Sequence, residues 1–274
     1  MYNIVNNFCQ ILNYDKKIKL AFYIFELMGK YQISATKYRP KSFDEVVGQD
    51  AVTSTLENAI NKGKLSQALL FSGPRGVGKT TCARILAKKI NLNHEVNNDY
   101  SFNIFELDAA SNNGVDHMRN LNEKVRVPPR IGNYKIYIID EAHMLSKDAF
   151  NAFLKTLEEP PEHVVFILAT TDPHKIPRTI LSRTQRFDFK RLSIKIISDY
   201  LVEILISEEI NYDEECIYLI AKKSDGSMRD SLSLLDQVIA YSESKIEIEN
   251  VRHSLGIIED SVYIELFLGI ANKD

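Results

Sequence analysis

The chain has 274 residues, 45% of them hydrophobic and 26% charged, with a formal net charge of -3 at pH 7. This excludes a chain dominated by disorder and a generally basic nucleic-acid coat, and the length suits one large domain or two unequal ones. Cys9, Cys82 and Cys216 stand too far apart for a disulfide framework or a zinc-ligand pattern, which points to a reducing, cytoplasmic setting.

Near the start the longest apolar run is "LAFYIF", residues 20–25. It is far short of the roughly 20 residues that span a bilayer, and no basic n-region or cleavage site marks a secretory signal. No membrane partner is expected. Further on, short apolar runs alternate with helical patterns, the signature of a parallel α/β sheet. Strands are predicted at "ALLFSG" (68–73), "FNIFELD" (102–108), "KIYIID" (135–140) and "VVFILATT" (164–171), all apolar enough to be covered on both faces. Helices are predicted over 80–90, 114–125 and 146–159, the last with Ser146 as N-cap and Pro160 and Pro161 as its stop. After "RFDF" (186–189) the strand signal ends, and helical patterns fill 193–209, 213–224 and 227–242. That change sets a domain boundary near residue 191, followed by a small helical domain suited to act as a lid. Residues 251–274 read as one helix and the start of another.

The chemistry centres on "GPRGVGKT", residues 73–80, which fits G-x-x-x-x-G-K-[ST] between a strand and a helix. Gly73, Gly76 and Gly78 let the backbone curl so that its N–H groups face an anion, Lys79 brings a cation to the terminal phosphates, and Thr80 offers a hydroxyl to magnesium. With Pro74, Arg75, Val77 and Thr81 they make up the expected phosphate-binding set. In "KIYIIDEAH" (135–143) a buried strand ends on two adjacent carboxylates. Asp140 suits a magnesium-bound water, and Glu141 the positioning of the water that attacks a γ-phosphate. The alternative is that the pair caps the next helix. "ILATTD" (167–172) places Thr170 and Thr171 at another strand end, where either a γ-phosphate sensor or an ordinary strand-end threonine fits. In "DGSMRDSLSLLDQ" (225–237) Ser227 is an N-cap and Arg229 falls in the first helical turn, against the macrodipole. A phosphate across the cleft would justify that cation; a salt bridge to a nearby carboxylate is the other reading. In "LSRTQRF" (181–187) Arg183 and Arg186 bracket a turn at the domain edge.

Taken in order, "KYRPKSFDEVVGQ" (37–49), the P-loop, "ELDAASNNGVDHMRNL" (106–121), the run from Tyr137 to Phe187 and "GSMRDSLSLLDQ" (226–237) resemble the γ/τ subunits of bacterial DNA polymerase III, the AAA+ motors of the sliding-clamp loader. The likeness runs from about Tyr31 to Gly256. It implies an AAA+ P-loop NTPase core with a five-stranded parallel sheet over residues 31–191, a three-helix lid over 192–256, and at 257–274 the start of a truncated collar domain. It implies ATP and Mg2+ as cofactors. The implied partners are other clamp-loader subunits, the sliding clamp and primer-template DNA.

By the same likeness Arg183 is an arginine finger for the neighbouring subunit's ATP, Arg229 the sensor in the lid and Thr171 the sensor at the strand end. Tyr38, Arg39, Pro40, Val46 and Val47 line the adenine pocket, and Arg186 stays a surface or strand-edge residue. The family is grouped with the DNA-directed DNA polymerase holoenzyme, a nucleotidyltransferase, yet nothing in this chain supplies polymerase chemistry. DNA contacts are expected on phosphates, through residues such as Arg119, Lys124 and Arg126. Three departures stand out. The segment 90–102 carries no cysteine where the family has a zinc module, so zinc is not expected; position 184 is threonine where the family has cysteine; and the collar is short. Residues 1–30 form an N-terminal extension, either a misplaced start ahead of Met28 or an amphipathic arm for a partner. The competing functions are an AAA+ helicase or recombination motor and an ATP-binding scaffold without turnover.

Overall fold

The computed structural model describes residues 33–91, 100–130, 132–242, 245–257, 264 and 267–271. The extension expected over residues 1–30, most of the cysteine-free segment and most of the expected collar therefore lie outside the described residues. The chain divides into two compact units, Met1–Tyr38 and Arg39–Asp274. The described part of the first is a single helical turn, Ser34–Lys37, closed by the Tyr38 N–H donating to the Ser34 carbonyl.

The second unit opens with α1 (Asp50–Asn61) and continues through β1 (Ala68–Ser72), α2 (Lys79–Asn91), β2 (Ile104–Asp108), α3 (Val115–Val125) and β3 (Lys135–Asp140). It goes on with α4 (Lys147–Glu158), β4 (Val164–Thr170), the short α5 (Arg178–Leu181) and β5 (Gln185–Asp188). The five strands form one parallel sheet in the order β2-β3-β4-β1-β5. Because side chains alternate across a strand, Leu69 and Phe71 join Ile136, Ile138, Val165 and Ile167 in the core under α1 and α2, whereas Leu70 joins Tyr137, Ile139, Phe166 and Leu168 on the α3 and α4 side. Phe153 of α4 meets Phe166 edge-on with centroids 5.0 Å apart, a pairing that contributes about 0.5–1.5 kcal/mol beyond its burial. Ser146 caps α4 by accepting from the Ala149 N–H at 3.1 Å, as its sequence predicts.

Two expectations are corrected. β2 is not covered on both faces: Phe105, Glu106 and Asp108 are exposed, because β2 is an edge strand paired only with β3, and its expected first residues form a 3-10 turn at Tyr100–Asn103. After β5 the chain is not purely helical. Between α6 (Ile194–Ser207), α7 (Glu214–Lys223), α8 (Met228–Tyr241) and α9 (Ile248–Leu255) it forms two parallel two-residue strands, β6 (Asn211–Tyr212) and β7 (Lys245–Ile246). Strands that short leave no period to read in a sequence. α9 begins three residues ahead of the expected Val251 and packs against α7 and α8, with Val251 and Leu255 buried. Among the described residues no helix is long and apolar enough to cross a membrane.

Candidate nucleotide site

The loop after β1 is shaped by its glycines. Gly73, Gly76 and Gly78 adopt φ of +147°, +73° and +102°, conformations that side chains rarely take. A Cβ on Gly73 would stand 2.4 Å from the Phe189 carbonyl oxygen, and one on Gly76 would stand 2.0 Å from Ser227 Oγ. Between them Val77 is buried and Arg75 is exposed, with Pro74 half-buried. Behind the loop α2 starts at Lys79, so the positive end of the helix faces the loop. Lys79 is itself buried, and its Nζ donates to the carbonyls of Gly73 at 2.8 Å and Pro74 at 2.6 Å. Burial lowers its pKa and Arg229 adds to that, while Glu141 and Asp140 act in the opposite sense. An arriving phosphate would relieve the burial cost of this ammonium, which already stands in the loop.

Thr80, on the first turn of α2, donates its hydroxyl to Asp140 Oδ2 at 2.8 Å, joining the P-loop helix to the end of β3. Thr81 beside it is half-buried. Glu141 follows with φ 47° and ψ 44°, a left-handed conformation that costs a non-glycine residue on the order of 1 kcal/mol or more. Its Oε2 accepts from the Thr171 hydroxyl at 2.9 Å and lies 3.4 Å from His143 Nδ1. His143 Nδ1 is also 3.1 Å from Thr170 Oγ1, and Thr170 is fully buried. The structure thus separates the two threonines: Thr171 reaches the carboxylate, whereas Thr170 braces the histidine. Sequence reasoning missed His143. The signal available was a histidine two residues beyond a carboxylate at a strand end.

The lid touches the loop directly. Ser227 caps α8 by accepting from the Asp230 N–H at 3.2 Å, and the Arg229 N–H donates to the Gly76 carbonyl at 3.3 Å. Arg229 is exposed and has no ion pair with a described carboxylate. Arg39, half-buried, has its pKa lowered first by burial and then by the nearness of Arg84 and Arg229, so three guanidinium groups share this corner. Arg84 is in turn held by a two-pronged pair with Glu106, at 2.5 and 2.6 Å. Val46 is buried, Pro40 and Val47 are half-buried, and Tyr38 ends the first unit, where Lys37 Nζ lies 5.2 Å from its ring centre.

Arg183 stands apart from all of these. β5 runs parallel to β1 with Leu69 opposite Gln185 and Ser72 opposite Asp188, so the P-loop leaves the C-terminal end of the sheet while Arg183 precedes the N-terminal end of β5. The strand between them is roughly 13 Å long. Arg183 Nη2 pairs with Glu158 Oε1 at 2.7 Å, and its Nη1 donates to Thr179 O at 2.8 Å and Ser182 Oγ at 3.1 Å. Thr184 donates to the carbonyls of Ile180 and Leu181 at 3.2 and 3.3 Å, tying the turn to α5. Arg186 lies on the edge strand β5 and pairs with Asp188 at 2.7 Å. Arg119, Lys124 and Arg126 are exposed on or just after α3, with Arg119 paired to Asp116 at 3.2 Å.

The donor set fits a magnesium nucleotide. A hydroxyl and a carboxylate in contact are hard oxygen ligands, and magnesium is usually bound by one or two carboxylates together with substrate phosphates and water. The loop's open backbone and its lysine supply the anion side.

Two family models cover most of the described chain: one for the DNA polymerase III delta subunit over residues 48–193, and one for the DNA polymerase III clamp loader subunit ATPase lid domain over residues 196–244. Among curated relatives, DNA polymerase III subunit tau of Bacillus subtilis is 47% identical over 253 residues, 87% of this chain and 44% of that protein. Subunit tau of Escherichia coli is 43% identical over 86% of this chain and 39% of its own length. Subunit gamma of Buchnera aphidicola subsp. Baizongia pistaciae is 40% identical over 89% of this chain and 70% of its own length. The chain therefore spans less than half of the tau proteins it matches. Among solved structures, the RuvB Holliday junction branch migration motor of Thermotoga maritima superimposes with a TM-score of 0.62 over 80% of this chain and 72% of RuvB, at 22% identity. That likeness shows the AAA+ fold alone. Since the gamma and tau relatives align across nearly the whole chain and the lid model follows the core model in order, the chain belongs to the gamma/tau family of DNA polymerase III clamp-loader subunits.

Proposed function

We propose that the chain is the ATP-driven motor subunit of the DNA polymerase III clamp loader, acting in the cytoplasm with other loader subunits to place the sliding clamp on primed DNA. Residues 31–191 are the motor core and 192–256 the lid. The observation that carries this reading is the split between the two halves of the chemistry. Lys79, Thr80, Asp140, Glu141, Thr171 and Arg229 converge near one P-loop, whereas Arg183 sits beyond the opposite end of β5. An arginine so placed serves the site of another chain.

In this reading ATP binds with its phosphates on Gly73–Thr81, and Arg39, Pro40, Val46 and Val47 take the adenine side. Magnesium, held by Thr80 and Asp140, would neutralise charge on the phosphates. Glu141 orients the attacking water, and the Thr171 hydroxyl and His143 fix that carboxylate. Lys79 and Arg229 stabilise negative charge from the loop and the lid, and the neighbour's Arg183 completes the site. Nothing in the chain supports nucleotidyl transfer.

The test is ATP turnover per chain against protein concentration, alone and with loader partners, clamp and primed DNA. It is run for the natural protein, for Arg183→Ala and for Arg183→Ala mixed with Glu141→Gln. We expect Arg183→Ala to lose about 10³-fold, the scale of an arginine finger, and the mixture to regain turnover because intact sites meet intact fingers. Turnover that is independent of concentration and of Arg183 would sink the reading.

A further inference from the structure

Gln49 is among the buried polar side chains to which the mechanism above gives no role. It is 4% exposed, and its amide joins two segments distant in sequence. Its Nε2 donates to the Lys190 carbonyl at 2.8 Å and, more weakly, to the Val77 carbonyl at 3.4 Å, while its Oε1 accepts from the Lys190 N–H at 3.2 Å. The paired bonds to Lys190 treat the linker between sheet and lid as a neighbouring strand would be treated. The third reaches into the P-loop, between Gly76 and Gly78.

The surroundings reinforce this grip. Gly48 has φ +69°, and a Cβ there would stand 2.5 Å from Leu192 Cδ2, so the residue before Gln49 is the seat of the linker's leucine. The Leu192 N–H donates to the Gly226 carbonyl at 3.0 Å, which carries the connection to the turn that starts α8. On the other side the Phe189 N–H donates to the Ser72 carbonyl at 2.7 Å, at the residue before the P-loop. The linker is thus pinned to the loop at one end and to the lid at the other, with one amide bridging the middle.

We propose that Gln49 is a positioning residue that couples the P-loop to the lid linker. It rests on the nucleotide reading above. A buried amide whose bonds are all made holds its partners at a fixed separation, because moving either one strands a buried donor or acceptor. The Val77 bond is the longest of the three, so it has room to shorten as the loop closes on a phosphate, while the two bonds to Lys190 make the linker follow. A phosphate that reorders the loop then shifts the linker and the seating of Ser227 and Arg229.

The test is hydrogen exchange at the Lys190 and Leu192 amides, with and without magnesium ATP, for the natural chain, Gln49→Met and Gln49→Glu, beside nucleotide binding followed directly. Methionine keeps the volume and removes all three bonds, whereas glutamate keeps an acceptor for the Lys190 N–H and loses both donated bonds. In the natural chain nucleotide should raise protection at both amides about tenfold, what one hydrogen bond contributes. In either variant nucleotide should still bind while that change falls below about twofold. A variant that binds nucleotide and keeps the full tenfold response overturns the proposal. A natural chain that binds nucleotide without altering these amides does so too, even if neither variant folds. A natural chain that binds no nucleotide overturns the P-loop reading itself, and the coupling with it.

Discussion

A Cβ at position 76 would meet Ser227 Oγ at 2.0 Å in a backbone with φ +73°, so Gly76→Ala must either move the lid or distort the loop. Backbone strain and overlap together should cost about 2 kcal/mol or more. Urea unfolding reads the loss, and an unshifted midpoint would mean that Ser227 does not rest on the loop in solution. On the next helix Cys82 makes the opposite kind of prediction. Burial pushes its thiol up to about 12, which leaves roughly one part in ten thousand as thiolate at pH 8. Iodoacetamide labelling mapped by mass spectrometry should therefore miss Cys82 in the native chain and find it after denaturation.

The proposed finger, Arg183, stands on the turn from α5 into β5, and α4 steadies that turn from outside. Glu158, the last residue of α4, holds one amino group of Arg183 while Thr179 and Ser182 hold the other. Because Glu158 is about half exposed, the pair contributes only about 0.2–1 kcal/mol to stability. Glu158→Gln should leave the thermal midpoint nearly unchanged. In the assembled enzyme it should lower turnover by no more than about fivefold, by loosening an arginine that would otherwise be delivered ready oriented. A rise in turnover would show that Glu158 restrains the finger instead. Arg183→Lys should not restore the activity lost in Arg183→Ala, since an ammonium cannot reproduce the planar fork that these three partners fix.

For the molecule as a whole, binding and turnover should separate cleanly. Magnesium ATP at about 100 times its Kd should stabilise the fold by about 2.7 kcal/mol, and Arg183→Ala should keep all of it because that arginine is remote from its own loop. Lys79→Ala should lose most of it. Thermal melts of the three proteins with and without nucleotide decide the matter; if Arg183→Ala loses the stabilisation, the arginine serves its own site.

The amino-acid sequence by itself determined the local features. Short, near-continuously apolar runs gave β1 to β4, Ser146 and Ser227 gave helix starts, and the spacing of glycines, Lys79 and Thr80 gave a phosphate loop, because those depend on backbone sterics and on neighbours within a turn or two. β2 was misjudged as covered on both faces, since its composition resembles that of β3 and only the strand order makes it an edge. Only the tertiary structure brought Thr171 and His143 to Glu141, set Ser227 on Gly76, joined Gln49 to Lys190, and gave Arg183 its ion pair with Glu158. These pairings cross between separate elements, and Gln49 and Lys190 stand 141 residues apart. No local period encodes such meetings; they follow from the parallel order of the sheet and the return of the lid onto the loop.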